Sequence, residues 1–361
     1  MLWSLLLGWL AVFSTGMPTE LPESLQKKFA NARSEDQVRT CLVRSGTSRI
    51  IVVNRQDAPP GIDEETLALR LFGRDSVADG LGGDHYQLNK LAIWNRASGG
   101  GFEFIFFNLA PGSRSVSRGA ECGHAAVAVA LVIETGRPPS ERGGPVRIRN
   151  VDTGQNLEIT ARKDADQDAG ACLAKVLHDP PISMSNVVEL SAPSATGDEI
   201  RWEVVPAGNI FAMVPGRNTC EDRALRREIQ AVTLQWALSS SLPNASEEFI
   251  RTIAHDVQWK GPTHAQVHAV CHNGEERHNS LPVSGSSALC NHLTLQHLVS
   301  SDFSRSEAPA GVDFDFELTS VSGTEAVQAH ASQRSGSWMI DSTSCNTNAR
   351  LLIEGTAFLS P

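Results

Sequence analysis

A thiol stands directly in front of a run of small residues in "GAECGHAAVAVALVIETG", Gly119 to Gly136. If the chain turns helical at Gly123, Cys122 lies at a helix N-terminus, where unpaired backbone N–H groups and the helix dipole stabilise an anion. Such a position lowers a thiol pKa and also forms a pocket for a substrate carboxylate. Cysteine equally packs as a small hydrophobe, so an inert buried thiol fits the same spacing. A second candidate lies in "DGLGGDHYQLNKLAIW", Asp79 to Trp94, where Lys90 opens an apolar stretch after a glycine-rich turn. A partly buried lysine there exchanges protons near neutrality; a solvated lysine on a surface hairpin does not, and the stretch suits both. Two loops of hydroxyls and glycine, "RSGTSR" (Ser45, Gly46, Thr47, Ser48, Arg49) and "PVSGSS" (Ser284, Gly285, Ser286), carry donors suited to carboxylates, although tight turns look the same. His124 and His278 are acid–base candidates in a chain that holds eleven histidines. Neither GxGxxG nor a P-loop occurs, which removes the usual support for nucleotide binding.

The elements that must position these residues follow from the apolar pattern. "VRTCLVRSGTSRIIVVNRQDAP" reads as strand, turn, strand. "KLAIWN", "FEFIFFNLA", "VRIRNV", "NLEITARK" and "ACLAKVLHD" are further strands between Gly, Ser, Asp or Pro clusters. Among them stands one strong helix, from about Gly123 to Glu134, whose small and branched residues suit burial on most sides. "SAPSATGDE", Ser191 to Glu199, marks a boundary, which gives a leader and linker over 1–38 and domains over 39–195 and 196–361. Beyond it "IRWEVVPAGNIFAMVP" reads as a strand pair and "CEDRALRREIQAVTLQWALSS" as an amphipathic helix. "SLPVSGSSALCNHLTLQHLV" is a loop leading into an apolar helix, a second copy of the arrangement at Cys122. The order predicts a duplicated α/β (α+β) fold with one central helix per half.

Bulk properties narrow the partners. The 361 residues are 41% apolar and 20% charged, values of a globular chain rather than a disordered or fibrous one. With 31 basic against 41 acidic side chains, and no Lys/Arg block interleaved with aromatics, the chain carries no footprint for nucleic acid. Seven scattered cysteines without a CxxC pair argue against a disulfide scaffold and a zinc site, and suggest reduced thiols. The N-terminal "MLWSLLLGWLAVFSTG" has the length of a signal peptide but no basic residues ahead of its apolar run. A cleaved signal or membrane-associating leader implies the secretory pathway or a membrane surface; a retained leader or a mispredicted start implies the cytoplasm.

Seven motifs in one order resemble the PrpF family of isomerases, which is similar in fold to diaminopimelate epimerase. They are "RSGTSR", "DGLGGDHYQLNKLAI", "GAECGHAA", "NVDTG", "PAGNIFAMV", "RHNSLPVSGSSALC" and "NARLLIEGTAFLSP", spread from Arg39 to Pro361. The resemblance implies two pseudo-symmetric domains, each a β-barrel-like sheet around a central helix, with the site where the two helix N-termini converge. It implies proton transfer on an unsaturated carboxylic acid such as aconitate, as a double-bond shift or a cis–trans isomerisation, with no metal or organic cofactor. Lys90 and Cys122 then handle the proton, and Ser45 to Ser48, Gly123, His124, Asn209 and Ser284 to Ser286 supply donors to the carboxylates. Its partner is a small unsaturated acid, and a homodimer is compatible with it. Departures fall on the binding surface. Arg49 replaces a lysine, Glu121 and His124 replace amides around the cysteine, "SQRSGSW" stands for a GHPSG loop, and Pro282 occupies the place of a racemase's second thiol. An ionised Glu121 repels a carboxylate, so either a protonated His124 compensates or the substrate has fewer carboxylates than a tricarboxylic acid. A non-catalytic binding protein of the same fold, and an enzyme acting on a bulkier natural-product intermediate, are the alternatives.

Overall fold

The computed structural model describes residues 36–73, 80–162, 170–193, 197–242, 245–246, 249–274, 276–300 and 311–359. The apolar leader lies outside these residues. Among the described residues no helix is long and apolar enough to cross a membrane.

The first lobe starts with a hairpin of β1 (Gln37–Ser45) and β2 (Ser48–Asn54), turning at Gly46 with φ 53°, a conformation glycine adopts without a Cβ penalty. There follow α1 (Glu64–Phe72), β3 (Lys90–Arg96), β4 (Phe102–Asn108), the short β5 (Ser117–Arg118), α2 (Gly123–Gly136), β6 (Val146–Asn150), β7 (Asn156–Arg162) and β8 (Gly170–Ser183). The alternation in "FEFIFFN" divides β4 between two layers. Phe102, Phe104 and Phe106 join the core around α2, while Phe107 joins Leu67, Leu71 and Phe72 of α1 on the other face. Ala125 to Ala130 of α2 are all buried, and their small side chains let strands approach the helix from every side.

After β9 (Val188–Pro193) the second lobe repeats this order. Its elements are β10 (Glu199–Ala207), β11 (Asn209–Pro215), α3 (Arg223–Ser239), β12 (Ile250–Trp259), β13 (His264–Asn273), β14 (Glu276–Arg277), α4 (Val283–Ser300), β15 (Gly311–Ser320), β16 (Gly323–Arg334) and β17 (Ser337–Phe358). The ladder β1–β2–β3–β4–β6, antiparallel, parallel, antiparallel, parallel, recurs as β10–β11–β12–β13–β15 with the same senses. The duplication expected from the two loop-into-helix segments is therefore present strand for strand.

The lobes close each other. β17 pairs with β16, with β8, and through Ala349–Phe358 with β1, so the first ladder returns on itself as a closed eight-stranded barrel. β9 pairs with β10, and the line of β8 and β9 borders the second ladder in the same way. The segment before the second central helix differs from the sequence reading. "PVSGSS" is not a loop: Val283 to Ser287 form the first turns of α4, because this stretch is enclosed by apolar strands and a helix satisfies its backbone N–H and C=O groups internally.

Candidate active site

The two central helices meet at their N-termini. A Cβ built on Gly123 would lie 2.5 Å from the Cβ of Val283, so only glycine permits this approach. Gly123→Ala should accordingly overpack the junction, lowering stability by about 1–3 kcal/mol. A second change, Val283→Gly, should restore part of the loss, and a double-mutant cycle of melting temperatures measures the coupling.

Cys122 is the N-cap of α2, and its carbonyl accepts the N–H groups of Ala125 and Ala126 while its side chain makes no capping bond. Lys90 opens β3 beside Ile50 of β2 and is 6% exposed. Its Nζ donates to Ser48 Oγ at 3.0 Å and lies 3.9 Å from Cys122 Sγ. Burial lowers the ammonium pKa of Lys90, opposed by the charge of a Cys122 thiolate. The Tyr86 ring lies 5.8 Å from Nζ and meets His278 edge-on at 5.9 Å. Burial keeps the Tyr86 hydroxyl protonated, lowers His124 to about 3, and holds His278 well below its usual range. Both imidazoles are therefore neutral at pH 7.

These groups face a cavity of about 280 Å³ to which the second lobe contributes Asn209, Arg251, Asn273, Glu276, His278 and Ser284. Of the residues expected in the site, Lys90, Cys122, Gly123, His124, Asn209 and Ser284 line it. The "RSGTSR" turn instead buttresses the wall. Gly46 packs against the His124 ring, where any side chain would collide, and Ser48 holds Lys90. Thr47 Oγ1 accepts from Gln87 and shares a hydrogen bond with Ser280 of the second lobe. Ser45 Oγ is buried without a partner among the described residues. Arg49 departs furthest from the expected donor role: its guanidinium donates to the Leu81 and Gly82 carbonyls and so secures the glycine-rich loop. Gly285 packs on Pro282 and Ile253, and Ser286 donates to Glu325, since the helical turn rotates both away from the cavity.

Asn209 is also committed. Its side chain accepts the Glu121 N–H at 3.0 Å and donates to the Glu121 carbonyl at 2.9 Å, clamping that peptide from the opposite lobe. The Glu121 carboxyl accepts from Asn150 at 3.0 Å and Thr153 at 2.8 Å, while Oε1 has no partner among the described residues. Desolvation outweighs these donors and raises its pKa to about 7. With His124 neutral, a protonated imidazole does not offset Glu121, and that branch of the sequence reading falls.

Sequence reasoning missed Arg251. It stands opposite Asn273 at the end of β13 as Lys90 stands opposite Asn108 at the end of β4. Counting from the paired residues Phe211 and Ile50 gives the same match, so Arg251 is the counterpart of Lys90 in the duplicated fold. Pro282, immediately before α4, is the counterpart of Cys122. The signal lay in the parallel between "IRTIAHDV" and "KLAIWN", which becomes legible only once both strands are in register.

The buried histidines set a pH dependence. Folding holds His124, His178, His255, His278 and His292 below the unfolded value near 6.5, at about 3 to 4 where values resolve. Their contribution is complete above pH 6.5 and is lost as pH falls towards 4. Glu121 and Glu325, both raised to about 7, act in the opposite sense, regaining stability between pH 7 and 4.5. Five buried imidazoles outnumber the two carboxyls, so below pH 6.5 the unfolded chain binds more protons than the native one and denaturant midpoints should fall as pH drops. Urea titrations between pH 7 and 5 check this.

No protein-family model matches the chain, and no curated protein matches it by sequence. Solved structures do match. A methylitaconate-delta-isomerase superposes with TM-score 0.58 at 14% identity, covering 91% of this chain and 97% of the other. A hydroxyproline epimerase from Agrobacterium vitis, with bound trans-4-hydroxy-L-proline, gives 0.54 at 14% over 91% and 94%. A probable proline racemase from Agrobacterium radiobacter K84, with bound carbonate, gives 0.52 at 13% over 88% and 92%. The fold implied by the motif resemblance, that of diaminopimelate epimerase, is the fold of this chain.

Proposed function

We propose that this chain, sharing its fold with a methylitaconate-delta-isomerase, is itself an isomerase that moves a proton on an unsaturated carboxylic acid. The observation that carries the reading is the Lys90 amine 3.9 Å from the Cys122 thiol, both buried against one cavity. One of the two removes an allylic proton, and the C–H electrons form a new double bond as the old one shifts charge onto the carboxylate. The other then protonates the far carbon. Net charge is unchanged and no electrons leave the substrate. Donors aimed at the developing oxyanion favour the transition state over the ground state, and the N-termini of α2 and α4 supply a dipole of the required sign.

The counterpart positions support an isomerase over a racemase. A racemase that inverts a carbon needs proton-handling groups on both sides of it, whereas Arg251 stays protonated and Pro282 carries no proton. Following alkene signals by NMR after mixing the protein with unsaturated di- and tricarboxylic acids and their half-esters tests the reading. Conversion supports it. Binding shifts without conversion favour a non-catalytic binding protein of the same fold.

A further inference from the structure

Three hollows adjoin at the junction of α2 and α4, and neighbouring ones share walls. Glu121, Gly123 and Ser284 line both the reaction cavity and a chamber of about 10 Å³. Gln155, His178 and Ala207 line both that chamber and an open groove of about 600 Å³, whose rim residues Asp179 and Pro180 are exposed. A chamber of about 10 Å³ is too small for a substrate and has room for about one water molecule, which needs polar partners. Glu121, Gln155, His178, Ser284 and Ser287 supply them.

Glu121 is the wall between the reaction cavity and the groove. It is 6% exposed, and two residues of the groove hold its side chain. Thr153 Oγ1 donates to Oε2 at 2.8 Å, and the turn at Gly208 packs so closely that a Cβ built there would lie 2.7 Å from the Glu121 Cβ. Oε1 has no partner among the described residues, whereas buried polar atoms ordinarily have one. With its pKa raised to about 7, both the acid and the carboxylate are populated at neutrality, so the group takes up and releases a proton readily. On the isomerase reading, on which this inference rests, the proton taken from carbon resides on Lys90 or Cys122 while substrate stands in the cavity they face. The chamber is a second way to solvent, and substrate does not fill it.

We propose that Glu121 and a single water in this chamber form a proton passage from the reaction cavity to the groove, by which the Lys90–Cys122 pair exchanges its proton with solvent during turnover. The proton leaves the pair through the solvent of the cavity that all three residues line, and the Glu121 carboxylate accepts it. The acid so formed releases it to the chamber water, which passes it to the groove as hydronium. A solvent proton returns by the reverse steps, so hydrogen and charge balance over the exchange. Glu121 acts through the pair and does not touch the reacting carbon.

The test is turnover in deuterated water of aconitate, itaconate and their monomethyl esters, with deuterium in the product counted per conversion by NMR. The unmodified protein should place solvent deuterium in the product. Glu121→Gln keeps an oxygen for Thr153 and Asn150 but does not titrate, and it should slow the exchange by about 100-fold, leaving the transferred hydrogen in the product. Glu121→Asp, which titrates, should restore part of the exchange. Ala207→Leu fills the chamber from a position outside the reaction cavity, and it should slow exchange with kcat unchanged. Because label is counted per conversion, a variant that merely loses folded protein leaves the ratio unaltered. Equal deuterium per conversion in the unmodified protein, Glu121→Gln and Ala207→Leu would overturn the passage and leave the isomerase reading intact. Conversion of none of the probes would remove the isomerase reading, and the passage with it.

Discussion

Lys90→Ala should lower turnover of an unsaturated acid by about 10³-fold or more, with little change in KM, because it removes a group that acts on the reacting proton rather than on bound substrate. The amine is suited to that task by its surroundings. Burial disfavours the ammonium, and Ser48 Oγ at 3.0 Å and the Tyr86 ring fix its position. Neither imidazole on the cavity replaces it, since His124 of the first lobe and His278 of the second are too weakly basic to accept a proton near pH 7. Lys90→Arg should be as inactive as Lys90→Ala, because a guanidinium does not give up a proton. Steady-state kinetics with circular dichroism as a control decide the matter; an active arginine variant would make Lys90 an electrostatic anchor and not a base.

Cys122→Ser should be nearly as severe, losing about 10²- to 10⁴-fold in kcat at unchanged fold. Serine is close in size and keeps the N-cap backbone, whose carbonyl accepts from Ala125 and Ala126, so α2 should remain intact. What is lost is a thiol, a far stronger acid than the alcohol that replaces it. A merely packing role for Cys122 predicts the reverse, a small change in rate with a measurable change in melting temperature. Comparing kcat with thermal stability for this one variant separates the two readings that the sequence left open.

How far these residues could be read in advance follows from the range of the interactions that place them. The helix at Gly123 and the thiol in front of it were legible, because a Gly/Ala/Val run is a local signal and the N-cap is its first residue. Helix α1 went unread although its signals were local too: Asp63 accepts the Thr66 N–H, Glu64 and Glu65 follow, and Leu67, Ala68, Leu71 and Phe72 form a buried stripe. Neighbouring glycine and polar residues obscured that stripe. Arg49 and Arg251 exchanged expectations for a different reason. A motif shows that an arginine is present, but the direction of its side chain depends on strand register, and register is set by pairings between residues about 40 positions apart, such as Ile50 with Lys90 and Phe211 with Arg251. Ser286 illustrates the same limit: its hydroxyl was legible as a donor, but its partner Glu325 was not.

The central claim is that one pair of groups on one wall both removes and returns the proton. The face of delivery tests it most directly. An alkene acid that the protein converts, stereospecifically deuterated at its allylic carbon, would be turned over in ordinary and in deuterated water, and the configuration of label in the product read by NMR. With Lys90 and Cys122 on the same wall, and Arg251 and Pro282 opposite them, the new hydrogen should enter from the face that the old one left. Delivery to the opposite face would mean that a group other than Lys90 and Cys122 carries half of the chemistry.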